Sequence, residues 1–158
     1  MDVNTVRIAF VREGARELYA AGGGDFLAPA TGLSVGFDLR ACLAQNEAFI
    51  APGDRLFIPA GIAVQPASPD VAGFVYSRSG LGAREGLVVA QGVGVIDPDY
   101  TGEILVPLLN TSGQERLVKR GERIAQLVFQ PVCRPRWEET ALRPTGRGGG
   151  GFGHTGTL

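Results

Sequence analysis

The chain has 158 residues, a formal net charge of −1 and 44% hydrophobic residues, which suits one domain with a sizeable core and argues against both disorder and a basic nucleic-acid groove. One histidine and two distant cysteines argue against a zinc cluster and a histidine-based triad, so any catalytic base is expected to be a carboxylate and any metal a hard ion such as Mg²⁺. No apolar run approaches the roughly 20 residues that span a bilayer, and the N-terminus lacks a signal-peptide pattern, so a cytoplasmic protein without a membrane partner is expected.

Short runs of residues that favour β-strands, separated by turn signals, follow one another along the chain. From the N-terminus they occupy residues 6–11, 34–43, 48–66, 70–79, 86–96, 103–112, 115–132 and 136–140. Turn signals about every ten residues predict an all-β fold, namely a jelly-roll-like distorted β-barrel. At most one short helix is expected, and residues 15–18 and 79–85 are its candidates.

The stretch GVGVIDPDYTGEI, residues 92–104, is rich in turn residues and also carries three carboxylates and a tyrosine. One interpretation is an ordinary hairpin whose turn Asp97 closes by bonding to backbone N–H groups, and this stretch alone favours it. The other is a hairpin that carries Asp97 to a protected site where water is deprotonated. Tyr100 correspondingly either packs across the strands or presents its ring to a sugar or a base.

The stretch SRSGLG, residues 77–82, can bind an anion. Ser79 and Gly80 can offer a hydroxyl and N–H groups beside the charge of Arg78. The alternative is a helix cap with a solvated arginine, which is the more common use of such a sequence.

Polar side chains also interrupt two apolar runs. The amide of Gln126, in GERIAQLVF, needs a hydrogen-bond partner, which is either backbone or a ligand. Asp38, in SVGFDL, either faces solvent or pairs with an arginine, and Arg40 is its same-face neighbour.

The end of the chain is rich in glycine, with seven glycines in residues 146–156. One interpretation is a disordered terminus. The other is a lid that folds down over a ligand, with Phe152 stacking on a planar group and Arg147 neutralising phosphate.

Each of these motifs is weak alone, but their order is specific. SVGFDL, SRSGLG, GVGVIDPDYTGEI, GERIAQLVF and GRGGGGFGHTG resemble, in order and approximate spacing, the five motifs of the trimeric deoxyuridine triphosphatases (dUTPases). The resemblance implies a jelly-roll-like subunit, a homotrimer and Mg²⁺-dependent hydrolysis of dUTP to dUMP and pyrophosphate, which limits uracil incorporation into DNA and supplies dUMP for thymidylate synthesis. It also implies a β-barrel domain over residues 1–143 and a flexible arm over residues 144–158 that closes over the active site.

The resemblance further implies a role for each motif residue. Asp97 is the general base that activates water for attack on the α-phosphate, Tyr100 packs against the deoxyribose, and Asp38 is a supporting carboxylate. Mg²⁺ is held mainly by the substrate phosphates and water, with no direct protein ligand, and each active site is shared between subunits. The residues implied to bind the substrate are Arg78, Ser79, Gly80, Gln91, Gly94, Val95, Ile96, Tyr100, Leu105, Gln126, Arg147, Phe152 and Gly153.

Three positions depart from the usual pattern of the family. Ser77 precedes Arg78 in place of a proline, Gln91 stands where bacterial relatives often have asparagine near the uracil, and Gly149 stands where an acidic or small residue is common. The nearest alternative function is that of a dCTP deaminase, monofunctional or bifunctional, which has the same subunit fold but typically lacks the IDPDY arrangement and the arm. A non-catalytic nucleotide-binding protein is a further alternative, against which Asp97 and the arm both speak.

Overall fold

The computed structural model of the chain describes residues 5–20, 27, 29 and 31–151. Their strands are β1 (Val6–Phe10), β2 (Phe37–Arg40), β3 (Glu47–Ile50), β4 (Arg55–Pro59), β5 (Ile62–Pro66), β6 (Val71–Ser77), β7 (Leu87–Val89), β8 (Val93–Ile96), β9 (Leu105–Asn110), β10 (Arg116–Lys119) and β11 (Arg123–Pro131). Two helical segments accompany them, namely α1 (Ala15–Ala20) and a π-helical segment (Leu81–Glu85).

The strands form four antiparallel sheets, with the orders β1-β5, β10-β3, β2-β11-β6-β8 and β4-β9-β7. Within the described ranges no sheet closes on itself into a complete barrel. The all-β prediction is confirmed. The expectation of at most one short helix was wrong, because both candidate segments are helical. Gly86, in the left-handed conformation, ends the second.

One cluster of buried apolar side chains connects strands of all four sheets. Burying such a side chain contributes about 1.5–3 kcal/mol relative to leaving it exposed, so this cluster is the main source of stability. Its largest members, each at most 2% exposed, are Leu39, Ile50, Ile58, Ile62, Ile104, Leu108, Ile124 and Leu127.

The helix α1 is attached to this core by Tyr19. Its hydroxyl donates to the Ala60 carbonyl oxygen at 3.0 Å and accepts the Arg40 N–H at 3.1 Å. Burial raises the pKa of Tyr19 well above its ordinary value, which keeps the hydroxyl protonated as the bond to Ala60 requires. The segment before β2 is therefore held to both β2 and the connection between β4 and β5.

No helix within the described ranges is long and apolar enough to cross a membrane.

Candidate active site

Asp97 lies in a β-turn directly after β8. The turn is closed by backbone, since the Tyr100 N–H donates to the Asp97 carbonyl oxygen at 3.0 Å. No group of the described residues donates a hydrogen bond to the Asp97 carboxylate, which is exposed in the isolated chain. The side chain is thus not used to close the turn, and this geometry favours the functional interpretation of Asp97 over the structural one.

Tyr100 has a fixed ring orientation. Its hydroxyl donates to the Glu103 carbonyl oxygen at 2.9 Å, and its ring packs over Gly102. A Cβ atom at Gly102 would lie 2.5 Å from the Tyr100 hydroxyl oxygen, so only glycine leaves room for the ring. Tyr100 as a residue is 45% exposed, so part of its surface is available for contact with a ligand.

Beside this turn, between β8 and the start of β9, is a cavity of about 250 Å³. It brings together seven of the predicted residues, and they are Gln91, Gly94, Val95, Ile96, Asp97, Tyr100 and Leu105. Gly94 is buried, and a Cβ atom there would lie 3.2 Å from both Gln91 Nε2 and Val75 Cβ. The absence of a side chain at Gly94 therefore lets the Gln91 amide lie close to the strand at the cavity.

A second group of predicted residues lies where β6 ends. Asp38 accepts hydrogen bonds from Arg78 Nε at 2.8 Å and from Arg123 Nη1 at 3.2 Å. Asp38 therefore pairs with arginines, which is one of the two alternatives left open by the sequence. Its same-face neighbour Arg40 is not among them, because Arg40 Nη1 donates instead to the Gly121 carbonyl oxygen at 2.9 Å. Asp38 thus holds two arginines side by side, and Arg78 Nη1 also reaches the Arg123 carbonyl oxygen.

The turn after Arg78 begins the π-helical segment. Ser79 and Gly80 are exposed there, and the segment has no side-chain cap, so the helix-cap interpretation of Ser79 is not what the structure contains. The hydroxyl oxygen of Ser77 accepts the Val89 N–H at 2.8 Å. This bond ties the end of β6 to β7.

Gln126 lies in the same region as Arg78. Residue 126 pairs with Asp38 of β2 on one side and with Tyr76 of β6 on the other. Its side chain packs against Gly36, where a Cβ atom would lie 3.2 Å from Gln126 Oε1.

Asp97 and Arg78 lie near opposite ends of β6. Ile96, the residue before Asp97, pairs with Gly73, whereas Arg78 lies five residues further along the chain than Gly73. At about 3.3 Å per residue of strand, these positions are roughly 17 Å apart. A single chain therefore does not bring Asp97 and Arg78 to one phosphate group.

Arg147 lies in a turn of the C-terminal stretch. Its Nε donates to the Gly150 carbonyl oxygen at 2.9 Å, and the hydrogen bonds of residues 145–150 are to one another. Phe152 and Gly153 lie outside the described residues.

Within the part of the chain that the structure describes, no three His, Cys, Asp or Glu residues are grouped so that they could hold a metal ion. The oxygen atoms that could bind a metal ion at the cavity, such as those of the Asp97 carboxylate, are hard ligands that are not grouped together. Such surroundings fit a Mg²⁺ ion whose ligands are the phosphate oxygens of a bound nucleotide and water.

Two charged residues of these sites were not selected from the sequence. Arg123 interrupts the apolar run of β11, which was the available signal for it. Glu103 lines the cavity, its carboxylate accepts bonds from Arg12 and Gly61, and no local pattern indicated this role.

Comparison with protein families matches residues 24–156 to the dUTPase family. The chain belongs to the dUTPase family. A deoxyuridine 5′-triphosphate nucleotidohydrolase of Desulfitobacterium hafniense is 48% identical over 128 residues, which cover 80% of this chain and 84% of the relative. The enzyme of the same name from Escherichia coli is 43% identical over 129 residues, again 80% of this chain and 84% of the relative. These relatives favour dUTP hydrolysis over the dCTP deaminase alternative.

Solved dUTPase structures share the fold. A mutant dUTPase of Staphylococcus bacteriophage 80alpha, solved with dUpNHpp, superposes with a TM-score of 0.76 at 21% identity and covers 97% of this chain and 99% of its own. A mutant of the phage phi11 dUTPase, which coordinates a structural Mg(II) ion, has a TM-score of 0.73 at 17% identity and covers 90% of this chain and all of its own. At these identities the likeness concerns the fold alone, and it confirms the jelly-roll-like prediction.

Proposed function

We propose that this chain hydrolyses dUTP to dUMP and pyrophosphate, with Asp97 as the general base. The observation that carries the proposal is the Asp97 carboxylate, which has no hydrogen-bond partner among the described residues and borders a small cavity in a chain of the dUTPase family. The reaction removes dUTP, which limits uracil incorporation into DNA, and supplies dUMP for thymidylate synthesis. A cytoplasmic location is part of the proposal, because free nucleotides are available there.

In the proposed reaction, Asp97 takes a proton from a water molecule that attacks the α-phosphorus. The bond between the α-phosphorus and the oxygen bridging to the β-phosphorus breaks, and pyrophosphate leaves with that oxygen. Because charge accumulates on the phosphoryl oxygens, cations and N–H donors must stabilise it. Arg78, Ser79 and Gly80 are proposed to do so, with Asp38 holding Arg78 in place at 2.8 Å.

The cavity beside Asp97 is proposed to bind the uracil and the deoxyribose. Backbone groups from Gly94 to Ile96 and at Leu105 are proposed to read the base and to exclude a methyl at C5, and the Gln91 amide contributes to the base contact. The ring of Tyr100, fixed by its bond to the Glu103 carbonyl oxygen, packs against the sugar and excludes a 2′-hydroxyl.

Mg²⁺ is proposed as the cofactor, held mainly by the three phosphates and by water. When bound, the ion neutralises part of the phosphate charge. Gln126 is proposed to orient the phosphates from the end of β6, where its backbone lies beside Tyr76.

The complete site is proposed to form in a homotrimer. The separation of roughly 17 Å between the Asp97 and Arg78 positions, estimated from strand geometry, supports sites that combine groups from different subunits. The proposed division into a β-domain over residues 1–143 and an arm over residues 144–158 is supported by the local hydrogen bonding of residues 145–150. Arg147, Phe152 and Gly153 of the arm are proposed to close over the substrate.

The test is a substrate panel with product analysis. The wild-type chain is incubated with dUTP, dTTP, UTP and dCTP, with Mg²⁺ and with a chelator, and pyrophosphate and ammonia are measured. We expect pyrophosphate from dUTP in the presence of Mg²⁺, and ammonia release from dCTP would contradict the proposal.

The matched variant is Asp97→Asn, which keeps the shape of the side chain but cannot accept the proton. We expect kcat to fall at least about a thousandfold while dUTP still binds. Normal turnover by Asp97→Asn would remove Asp97 from the role of base.

A further inference from the structure

The N-terminal segment, residues 5–20, precedes the family match, which begins at residue 24. Even so, this segment reaches the hairpin that carries Asp97. Arg12 Nε donates to Glu103 Oε1 at 2.6 Å, across 91 residues of sequence. This ion pair connects the N-terminal segment to the hairpin across a long distance in sequence.

The Glu103 carboxylate binds the backbone of the neighbouring segment as well as Arg12. The same oxygen that accepts from Arg12 also accepts the Gly61 N–H at 2.9 Å, and the Gly61 carbonyl oxygen accepts the Val11 N–H at 2.9 Å. The Glu103 side chain is only 19% exposed, so its ion pair is less screened by water than a fully exposed pair. The bond to Glu103 also raises the pKa of Arg12 above its usual value, so the guanidinium stays charged.

The backbone of Glu103 in turn holds the ring of Tyr100. The Tyr100 hydroxyl donates to the Glu103 carbonyl oxygen at 2.9 Å, and the Tyr100 N–H closes the turn at Asp97. The next residue is fixed as well, because Ile104 donates its N–H to the Ile62 carbonyl oxygen at 2.9 Å. Any rotation of the backbone at Glu103 would therefore move the carbonyl oxygen that orients the ring.

We propose that Arg12 is a positioning residue for substrate selectivity, acting through Glu103 to hold Tyr100 at the angle that excludes a ribose. The inference rests on the proposed function, because it assigns the selectivity of that same site. Through Arg12, the N-terminal segment then contributes to the choice between deoxyribose and ribose. A purely structural ion pair would instead contribute stability and leave the choice of sugar unchanged.

The decisive measurement is the ratio of kcat/KM for dUTP to kcat/KM for UTP in the full-length chain. Arg12→Gln removes the charge and the Nε donor. The matched control is Arg7→Gln, which removes an exposed charge from β1 of the same segment, where the described residues offer Arg7 no ion-pair partner. We expect the ratio to fall about fivefold in Arg12→Gln and to be unchanged in Arg7→Gln, with melting temperatures within about 2 °C of each other.

Two further variants test the route through Glu103. Arg12→Lys keeps the charge and is expected to retain at least about half of the wild-type ratio. Glu103→Gln keeps an oxygen for the Gly61 N–H but no charge for Arg12, so it should lower the ratio as Arg12→Gln does. The double variant, Arg12→Gln with Glu103→Gln, should then be no worse than either single variant.

The outcomes separate this inference from the proposed function. A wild-type chain that does not hydrolyse dUTP contradicts the proposed function itself. An active wild-type chain whose ratio is unchanged in Arg12→Gln, or equally lowered in Arg7→Gln, overturns the positioning role. Losses that multiply in the double variant overturn the route through Glu103.

Discussion

At the scale of single residues, the hairpin joins a carboxylate that has no partner among the described residues to an aromatic ring whose position is restrained. The ring of Tyr100 is held from one side by the Glu103 carbonyl oxygen and from below by the close approach of Gly102. Asp97 has no such restraint on its side chain, only on its backbone. A restrained ring suits the selection of a sugar by its shape, and a carboxylate whose side chain is not restrained suits the removal of a proton from water.

Gly102→Ala tests whether that ring position matters. The added Cβ would lie 2.5 Å from the Tyr100 hydroxyl oxygen and 2.7 Å from Cζ, so the ring must leave its place and lose the bond to Glu103. We expect kcat/KM for dUTP to fall about tenfold and the preference for dUTP over UTP to weaken.

The matched control for this variant is Gly113→Ala, because a Cβ atom at Gly113 meets nothing within 4 Å. Steady-state kinetics on both nucleotides, with circular dichroism to verify folding, compare the two variants. Unchanged selectivity in a folded Gly102→Ala chain would show that the Tyr100 ring does not determine the choice of sugar.

Much of the site could be predicted at this scale, and the exceptions have a common cause. Asp97, Tyr100 and Gly94 lie within one contiguous motif, so their proximity follows from the hairpin alone. The sequence left the partner of Asp38 open, because the choice between Arg40 and Arg78 depends on how β6 and β2 both pair with β11. The local sequence around Asp38 does not show how strands that are distant in the chain pair with one another.

At the scale of elements, the turn signals predicted the succession of strands from β1 to β11, but the run 136–140, which was also expected to form a strand, does not form one. The turn signals also did not predict where each strand ends. The run 34–43 was expected to favour a β-strand, yet β2 covers only Phe37–Arg40. Beyond it, Ala41 donates its N–H to the Glu122 carbonyl oxygen and Cys42 donates to that of Pro59, so the chain passes between two neighbours and both residues are buried. The pattern of residues along the sequence does not show where a segment changes its hydrogen-bond partner.

The link between β6 and β7 depends on a side chain that departs from the family pattern. Ser77 supplies the hydroxyl oxygen for the Val89 N–H at 2.8 Å, and Val89 is only 2% exposed, so water is a poor substitute. We expect Ser77→Ala to lower the free energy of unfolding by about 1–2 kcal/mol, measured by urea denaturation. Ser77→Pro should lower it as well, since proline offers no acceptor in its side chain.

Ser77→Thr is the control for this prediction, because it keeps the hydroxyl. It should retain more stability than Ser77→Ala. If Ser77→Ala unfolds at the same urea concentration as the wild-type chain, the bond to Val89 contributes nothing to the packing of β6 on β7.

At the scale of the whole molecule, the pairing of β6 with β8 separates two groups that phosphoryl transfer needs together. Asp97 follows the residue opposite Gly73, and Arg78 lies beyond the other end of the strand. If complete sites combine Asp97 of one chain with Arg78 of another, two inactive chains must restore activity when they assemble together. The chosen pair is Asp97→Asn and Arg78→Ala, each of which leaves the other group intact.

With random assembly at equal amounts, each site draws a functional Asp97 with a chance of one half and a functional Arg78 with the same chance. After co-expression, purification through two different tags removes the trimers that contain only one variant, which are about a quarter of the assemblies and have no complete site. The purified mixed trimers should therefore recover about a third of wild-type dUTP turnover per site. Asp97→Asn mixed with the double variant Asp97→Asn/Arg78→Ala is the control, and it should recover nothing because no chain carries the base. Mixed oligomers, verified by native mass spectrometry, that remain inactive would mean that each site is built within one chain, and the strand that separates Asp97 from Arg78 would then have to rearrange before catalysis.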